Sequence, residues 1–223
     1  MEKKSLVKLN FKQDENTLIK KINYLLDNGA NINEKNSVGN TALSLAIMMN
    51  KNEILKHLLN KGATQATLNN ELISPLFLSI LFENKEANKI LLKDALKKDK
   101  KDLIQSLSIK GRTLATYAFL EIDWEKEETF EIFENILKYS NYLIDIEKKD
   151  NENNTLLDYI VKDTPSNANK ALKVLRKYIN KEFNINLKKE EVLNKLKENL
   201  IENTNKIKEN DFELDLNDDF SFL

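Results

Sequence analysis

A spacing of 33 residues runs through the first half of the chain and constrains its fold more than any local pattern does. Leu25-Leu26 leads into Gly29-Ala30, and 33 positions later Leu58-Leu59 leads into Gly62-Ala63. Thr41-Ala42-Leu43 returns after the same interval as Ser74-Pro75-Leu76, and Leu58-Leu59 returns as Leu91-Leu92. Self-similarity at a fixed period of this size is the signature of stacked units, each too small to bury its own apolar face without a neighbour.

The residues at the recurring positions suit that reading chemically. Thr41 and Ser74 are hydroxyl residues placed to cap a helix N-terminus, where a side-chain oxygen accepts an orphan backbone N–H. Pro75 then falls at the first helical position, where a missing N–H costs nothing. Gly39 sits in the turn before a helix, where a positive φ is expected. All four glycines, Gly29, Gly39, Gly62 and Gly111, occupy one of two repeat positions, and Gly111-Arg112-Thr113 repeats Gly39-Asn40-Thr41. The pattern resembles the ankyrin repeat: a β-turn, a Thr-Pro-Leu-type helix start, a second helix with a Leu-Leu pair, and a Gly-Ala exit. The resemblance covers residues 15–181 and implies an all-α solenoid of about five helix-turn-helix units joined by β-turns, the first and last degenerate.

Composition narrows the chemistry. The chain has 223 residues, 41% hydrophobic and 32% charged, which suits a folded soluble chain rather than a disordered one. A net charge of −1 gives no general drive toward nucleic acid or an anionic membrane. With no Cys, disulfides, thiolate catalysis and cysteine-ligated metals are excluded. One His and no Cys remove most nucleophile–base pairs, and four Gly leave no glycine-rich phosphate loop. No catalytic, cofactor-binding or metal-binding residue is therefore expected, and the chain reads as non-enzymatic. Met1–Lys8 is not followed by a signal-peptide core, and no segment is long and apolar enough to span a bilayer. The expectation is a cytoplasmic protein, with delivery by another route left open. Two Arg among 35 basic residues, with abundant Asn, suggest an AT-rich, bacterial genome.

In chain order, residues 1–14 are a polar lead-in. Leu18, Ile22, Leu25 and Leu26 fall on one face of a helix, the second helix of a first unit whose own first helix is degenerate. The second unit runs from Asn36 to Leu68, with Leu43, Leu45 and Ala46 expected in the core beside Ile54, Leu55, Leu58 and Leu59. His57, the lone histidine, lies within that second helix and reads as structural. The third unit, Asn69 to Leu96, carries Leu72 where the second has Gly39, so its turn is expected to differ. The basic run Lys97–Lys101 then delays the next Thr, Thr113, by six residues; it reads as a solvated helix end and loop. The fourth unit holds Trp124 inside the acidic stretch Glu121–Glu128, either as an exposed contact or as a local core plug. The fifth has Asn154-Thr155-Leu156-Leu157, a loop at Pro165 and a helix over 168–178. Residues 187–209 form an amphipathic pattern expected to cap the stack, and 210–223 an acidic and apolar tail.

The family resemblance places binding on the concave side, made of the turns and the exposed edge of the first helices. By register, the apolar residues there are Val38, Met48, Met49, Ile73, Leu81, Phe82, Ile109 and Leu120, one stripe across three units. Asn40, Glu71, Lys110 and Arg112 are the polar members; Trp124, Phe220 and Phe222 are candidate contacts outside the stripe. The expected function is binding of another protein by a chain that is monomeric when unbound. The alternatives are a dedicated inhibitor, such as an immunity protein masking a toxin or nuclease, and a secreted ankyrin effector.

Overall fold

The computed structural model describes residues 5–140 and 143–179. Ten α-helices lie among them: α1 (Glu15–Asp27), α2 (Ala42–Met48), α3 (Asn52–Asn60), α4 (Pro75–Leu81), α5 (Lys85–Lys97), α6 (Lys101–Gln105), α7 (Leu114–Glu121), α8 (Glu127–Ser140), α9 (Leu156–Lys162) and α10 (Pro165–Ile179). They stack in two rows. The short first helices α2, α4, α7 and α9 pack side by side, and the longer second helices α1, α3, α5, α8 and α10 form the other row. A single 3-10 turn, Leu6–Lys8, packs on α2 where the first unit's own first helix would stand.

Capping explains where the first helices begin. Thr41 Oγ1 accepts from Ser44 N at 3.3 Å, Thr113 Oγ1 from Thr116 N at 3.2 Å, and Thr155 Oγ1 from Asp158 N at 3.2 Å. Asp158 returns the bond by accepting from Thr155 N at 2.9 Å, a full capping box. Ser74 departs from expectation. It stands at the cap position, but its Oγ is buried without a partner. The fixed φ of Pro75 starts α4 instead.

Apolar spacing decides what each helix buries. Ile54, Leu55, Leu58 and Leu59 form one face of α3 and are buried, each side chain stabilising the stack by about 1.5–3 kcal/mol. On α2 the core is Leu43, Ala46 and Ile47, while Leu45, expected inside, is only half-buried. His57 Nε2 lies 2.9 Å from Asn23 Oδ1 and ties α3 to α1. Burial, and then the nearby Lys61, hold its pKa below the usual imidazole range.

The insertions are packed rather than open. After the third unit, α5 runs a turn longer than α3, and the following α6 buries Ile104. The Lys97–Lys101 run thus spans the end of one helix and the start of the next, with Lys98 Nζ 2.8 Å from Asp94. Trp124 is 5% exposed, which overturns its placement among the partner contacts. Its Nε1 donates to the Phe119 carbonyl at 2.8 Å, and its ring meets Phe119, Phe133 and Phe130 at centroid distances of 5.2, 5.4 and 5.7 Å. An aromatic ring with its polar end satisfied and three ring neighbours is a core plug. Pro165 is likewise the first residue of α10 and not a loop marker. The proposed capping helix over 187–209 and the tail with Phe220 and Phe222 lie outside the described residues. Among the described residues no helix is long and apolar enough to cross a membrane.

Candidate functional site

One six-residue turn occurs four times, at 36–41, 69–74, 108–113 and 150–155. Its first residue donates its N–H to the carbonyl of the fifth: Asn36 to Asn40, Asn69 to Ile73, Ser108 to Arg112 and Asp150 to Asn154, at 2.9–3.2 Å. The fourth residue donates back to the first: Gly39, Leu72, Gly111 and Asn153, at 2.8–3.0 Å. The side chain of the first residue also accepts from the fifth N–H, through Asn36, Asn69, Ser108 and Asp150. The fourth position is left-handed in every copy, with φ of 81°, 60°, 74° and 65°. The expectation that Leu72 forces a different turn is therefore corrected. The Asn69 side chain and the two main-chain bonds impose the common geometry, and Leu72 carries a strain of about 1–2 kcal/mol to meet it.

Numbered by the units they open, second to fifth, neighbouring turns are joined in two cases out of three. Between the second and third, Asn70 N donates to Val38 O at 3.1 Å, Asn70 Nδ2 to Ser37 O at 3.0 Å, and Lys35 Nζ to Leu68 O at 2.7 Å. Between the fourth and fifth, Asn151 N donates to Lys110 O at 2.9 Å and Asn151 Nδ2 to Ile109 O at 3.2 Å. Between the third and fourth the Asn position is Ile109, and no hydrogen bond joins the turns.

The seam between the fourth and fifth turns also holds an ionic lock. Arg112 Nε lies 3.2 Å from Asp150 Oδ2, Arg112 Nη2 lies 3.1 Å from the Tyr159 hydroxyl, and that hydroxyl donates to Asp150 Oδ2 at 2.6 Å. The Arg112 side chain is 11% exposed and that of Asp150 1%. Burial alone pushes the Asp150 pKa up. Bonds from the Tyr159 hydroxyl, the Asn154 N–H, Arg112 and the Glu152 N–H outweigh it and hold the carboxyl at about 2. Arg112 is thus engaged within the protein, and its expected role as a partner contact is withdrawn.

The remaining predicted residues divide by exposure. Val38, Met49, Leu81, Phe82, Ile109 and Leu120 are exposed, Ile109 most of all at 69%. Met48 and Ile73 are half-buried. Asn40 is buried, its amide 3.7 Å from Met48 Sδ, so it supports the surface from beneath. Glu71 and Lys110 are exposed at adjacent turns. Beside the turns, Leu72, at the glycine position, and Leu107, just before a turn, are exposed apolar residues that escaped the sequence reading; Leu68, placed by register at a turn, is exposed as well. The signal for Leu72 was in plain sight, since an apolar side chain at a glycine position cannot point into the fold.

A groove of about 380 Å³ lies between α8 and α10, floored by Trp124, Phe130 and Val174. Its charges are largely paired: Lys170 Nζ donates to the Trp124 carbonyl at 2.6 Å, and Glu134 takes Lys177 and the Tyr178 hydroxyl. Among the described residues no group of His, Asp or Glu side chains could hold a metal ion.

Residues 13–102 match the family model for ankyrin repeats, in three copies. That stretch is an ankyrin-repeat stack. No curated protein matches the chain. Ankyrin repeats are in general protein-binding modules and are typically non-catalytic. Beyond the matched stretch, the same six-residue turn followed by a helix pair recurs twice, with α7/α8 and with α9/α10, to Ile179.

Proposed function

We propose that the chain binds a protein partner, stoichiometrically and without catalysis, through the turn-and-first-helix side of the ankyrin stack. The supporting observation is the run of exposed apolar side chains in repeat register: Met49 on the second unit, Leu81 and Phe82 on the third, Leu120 on the fourth. The first helices that carry or adjoin them pack side by side, which supports reading these residues as one strip. Contiguous exposed apolar surface of this kind marks an interaction site, and Met and Phe are adaptable anchors for one.

The inhibitor reading drew on the acidic stretch Glu121–Glu128 and on the acidic tail, which lies outside the described residues. Within that stretch Ile122 and Trp124 are buried and Lys126 lies 3.2 Å from both Asp123 and Glu83, while Glu121, Glu125 and Glu127 are exposed. These carboxylates belong to one unit, whereas the exposed apolar residues recur over three, and the general binding reading is preferred.

The test compares capture of partner from host lysate by the full chain and by its Phe82→Glu and Met49→Glu variants. Loss of capture by a factor of about 30, equivalent to about 2 kcal/mol, is expected with stability unchanged within about 0.5 kcal/mol. Variants that capture the same partner as wild type, or that unfold, would sink the reading.

A further inference from the structure

The third and fourth turns lack the bond that joins the other two pairs, and both residues responsible are apolar. At the closed seams a glycine faces the next turn's asparagine: a Cβ on Gly39 would lie 2.5 Å from Asn70 N, and one on Gly111 2.5 Å from Asn151 Oδ1. At the open seam the glycine is Leu72 and the asparagine is Ile109, so the fourth turn cannot close on the third in the same way. The two backbone groups that would have met, the Glu71 carbonyl and the Ile109 N–H, form no hydrogen bond within the described residues. Four exposed apolar side chains flank the two turns: Leu68, Leu72, Leu107 and Ile109.

Resting on the reading that this side of the stack is the binding face, we propose that the partner docks as an extended polypeptide segment across the third and fourth turns. Its main chain donates to the Glu71 carbonyl and accepts from the Ile109 N–H, and an apolar side chain packs against Leu72 and Ile109. The closed seams show the complement of this donor–acceptor pair to be peptide groups, Asn70 and Asn151 supplying the N–H and Val38 and Lys110 the carbonyl. Charge does not favour another occupant. Glu71 and Lys110 oppose one another in sign, Lys110 lies 4.0 Å from Glu152, and Arg112 is neutralised by Asp150. A phosphate backbone or a strongly acidic surface finds no basic cluster here. Main-chain pairing supplies affinity in such a mode and the apolar contact supplies selection.

The probe is a displayed library of random twelve-residue peptides selected on the full chain, with the most enriched peptide synthesised and titrated by fluorescence anisotropy. The double variant Leu72→Gly/Ile109→Asn rebuilds the glycine–asparagine pair of the closed seams. It is expected to weaken peptide binding at least tenfold while the melting temperature holds or rises, and Ile109→Asn alone is expected to weaken it in the same direction. N-methylation of the peptide amide at the centre of the bound stretch is expected to cost a similar factor. Binding unchanged in both variants overturns the proposal, as does a library that yields no binder. If Phe82→Glu abolishes binding while the seam variants do not, the strip stands and the seam falls. If Phe82→Glu and the seam variants all leave it intact, both fall.

Discussion

The seam between the fourth and fifth turns and the seam between the third and fourth are built from the same turn and behave as opposites. The first is closed by an asparagine on one side, a glycine on the other, and the Arg112–Asp150–Tyr159 lock. The second has Leu72 and Ile109 in the glycine and asparagine places and no bond across it. The difference teaches that the rule for docking turns belongs to a pair of neighbours. Glycine is required at one turn because asparagine approaches from the next, so losing both together removes a clash that losing the glycine alone would create. The open seam forgoes two hydrogen bonds, about 2 kcal/mol, and adds the Leu72 strain. Cohesion there rests on helix packing, of α4 on α7 and of α5 on α8. Lys85 Nζ bridges to Glu131 at 2.9 Å between α5 and α8.

The strongest way to break the comparison is to force the open-seam residue into a closed seam. Gly39→Leu places a Cβ 2.5 Å from the Asn70 backbone nitrogen and a branched side chain at φ 81°. Backbone cannot retreat as a side-chain tip can, so strain and lost turn bonds add. A loss of about 3 kcal/mol or more is expected in urea denaturation. A loss under about 1 kcal/mol would show that the closed seam tolerates a side chain and that Leu72 opens nothing.

The ionic lock gives the next effect, and a pH signature. The Asp150 pKa is depressed from 3.8 to about 2, so its stabilisation is fully present above the unfolded value and is lost as pH falls from about 4 toward 2. A shift of that size corresponds to about 2 kcal/mol at neutral pH. Asp150→Asn is expected to lose about that much at pH 7 and to flatten the acid limb of the stability curve in that window. A variant with an unchanged acid limb would place the lock's contribution elsewhere.

How much of this could be read from the chain depends on the range of the interaction. The period, the cap residues Thr41, Thr113 and Thr155, and the α3 core are local patterns, and the sequence carries them openly. The exposure of Met49, Leu81, Phe82 and Leu120 followed from register, Met49 and Phe82 sharing the position just after α2 and α4, and Leu81 and Leu120 the position before it. Trp124 did not follow. Its burial depends on Phe130 and Phe133 from α8 closing over a loop whose length has no counterpart in the repeat. Arg112 did not follow either, since its partners Asp150 and Tyr159 lie about 40 residues onward, past an irregular spacing. Leu72 failed for the opposite reason. Local preference argued against a left-handed leucine, and the hydrogen bonds of Asn69 overrode it.

The smallest expected effect is the most discriminating, because it reverses sign at an equivalent position. Leu72→Gly removes the strain of a β-carbon at φ 60° and takes away a side chain that is 54% exposed. Glycine gives back part of the gain through its more flexible unfolded chain, leaving a net stabilisation of about 0.5–1 kcal/mol. The same position in the second turn, changed in the opposite direction, loses about 3 kcal/mol or more. A protein that gains stability when Leu72 is replaced, yet binds its partner less well, keeps that leucine for what it contacts outside the fold. A protein that loses stability on the same change has Leu72 packed against the fourth turn, and the seam is then closed by apolar contact rather than open.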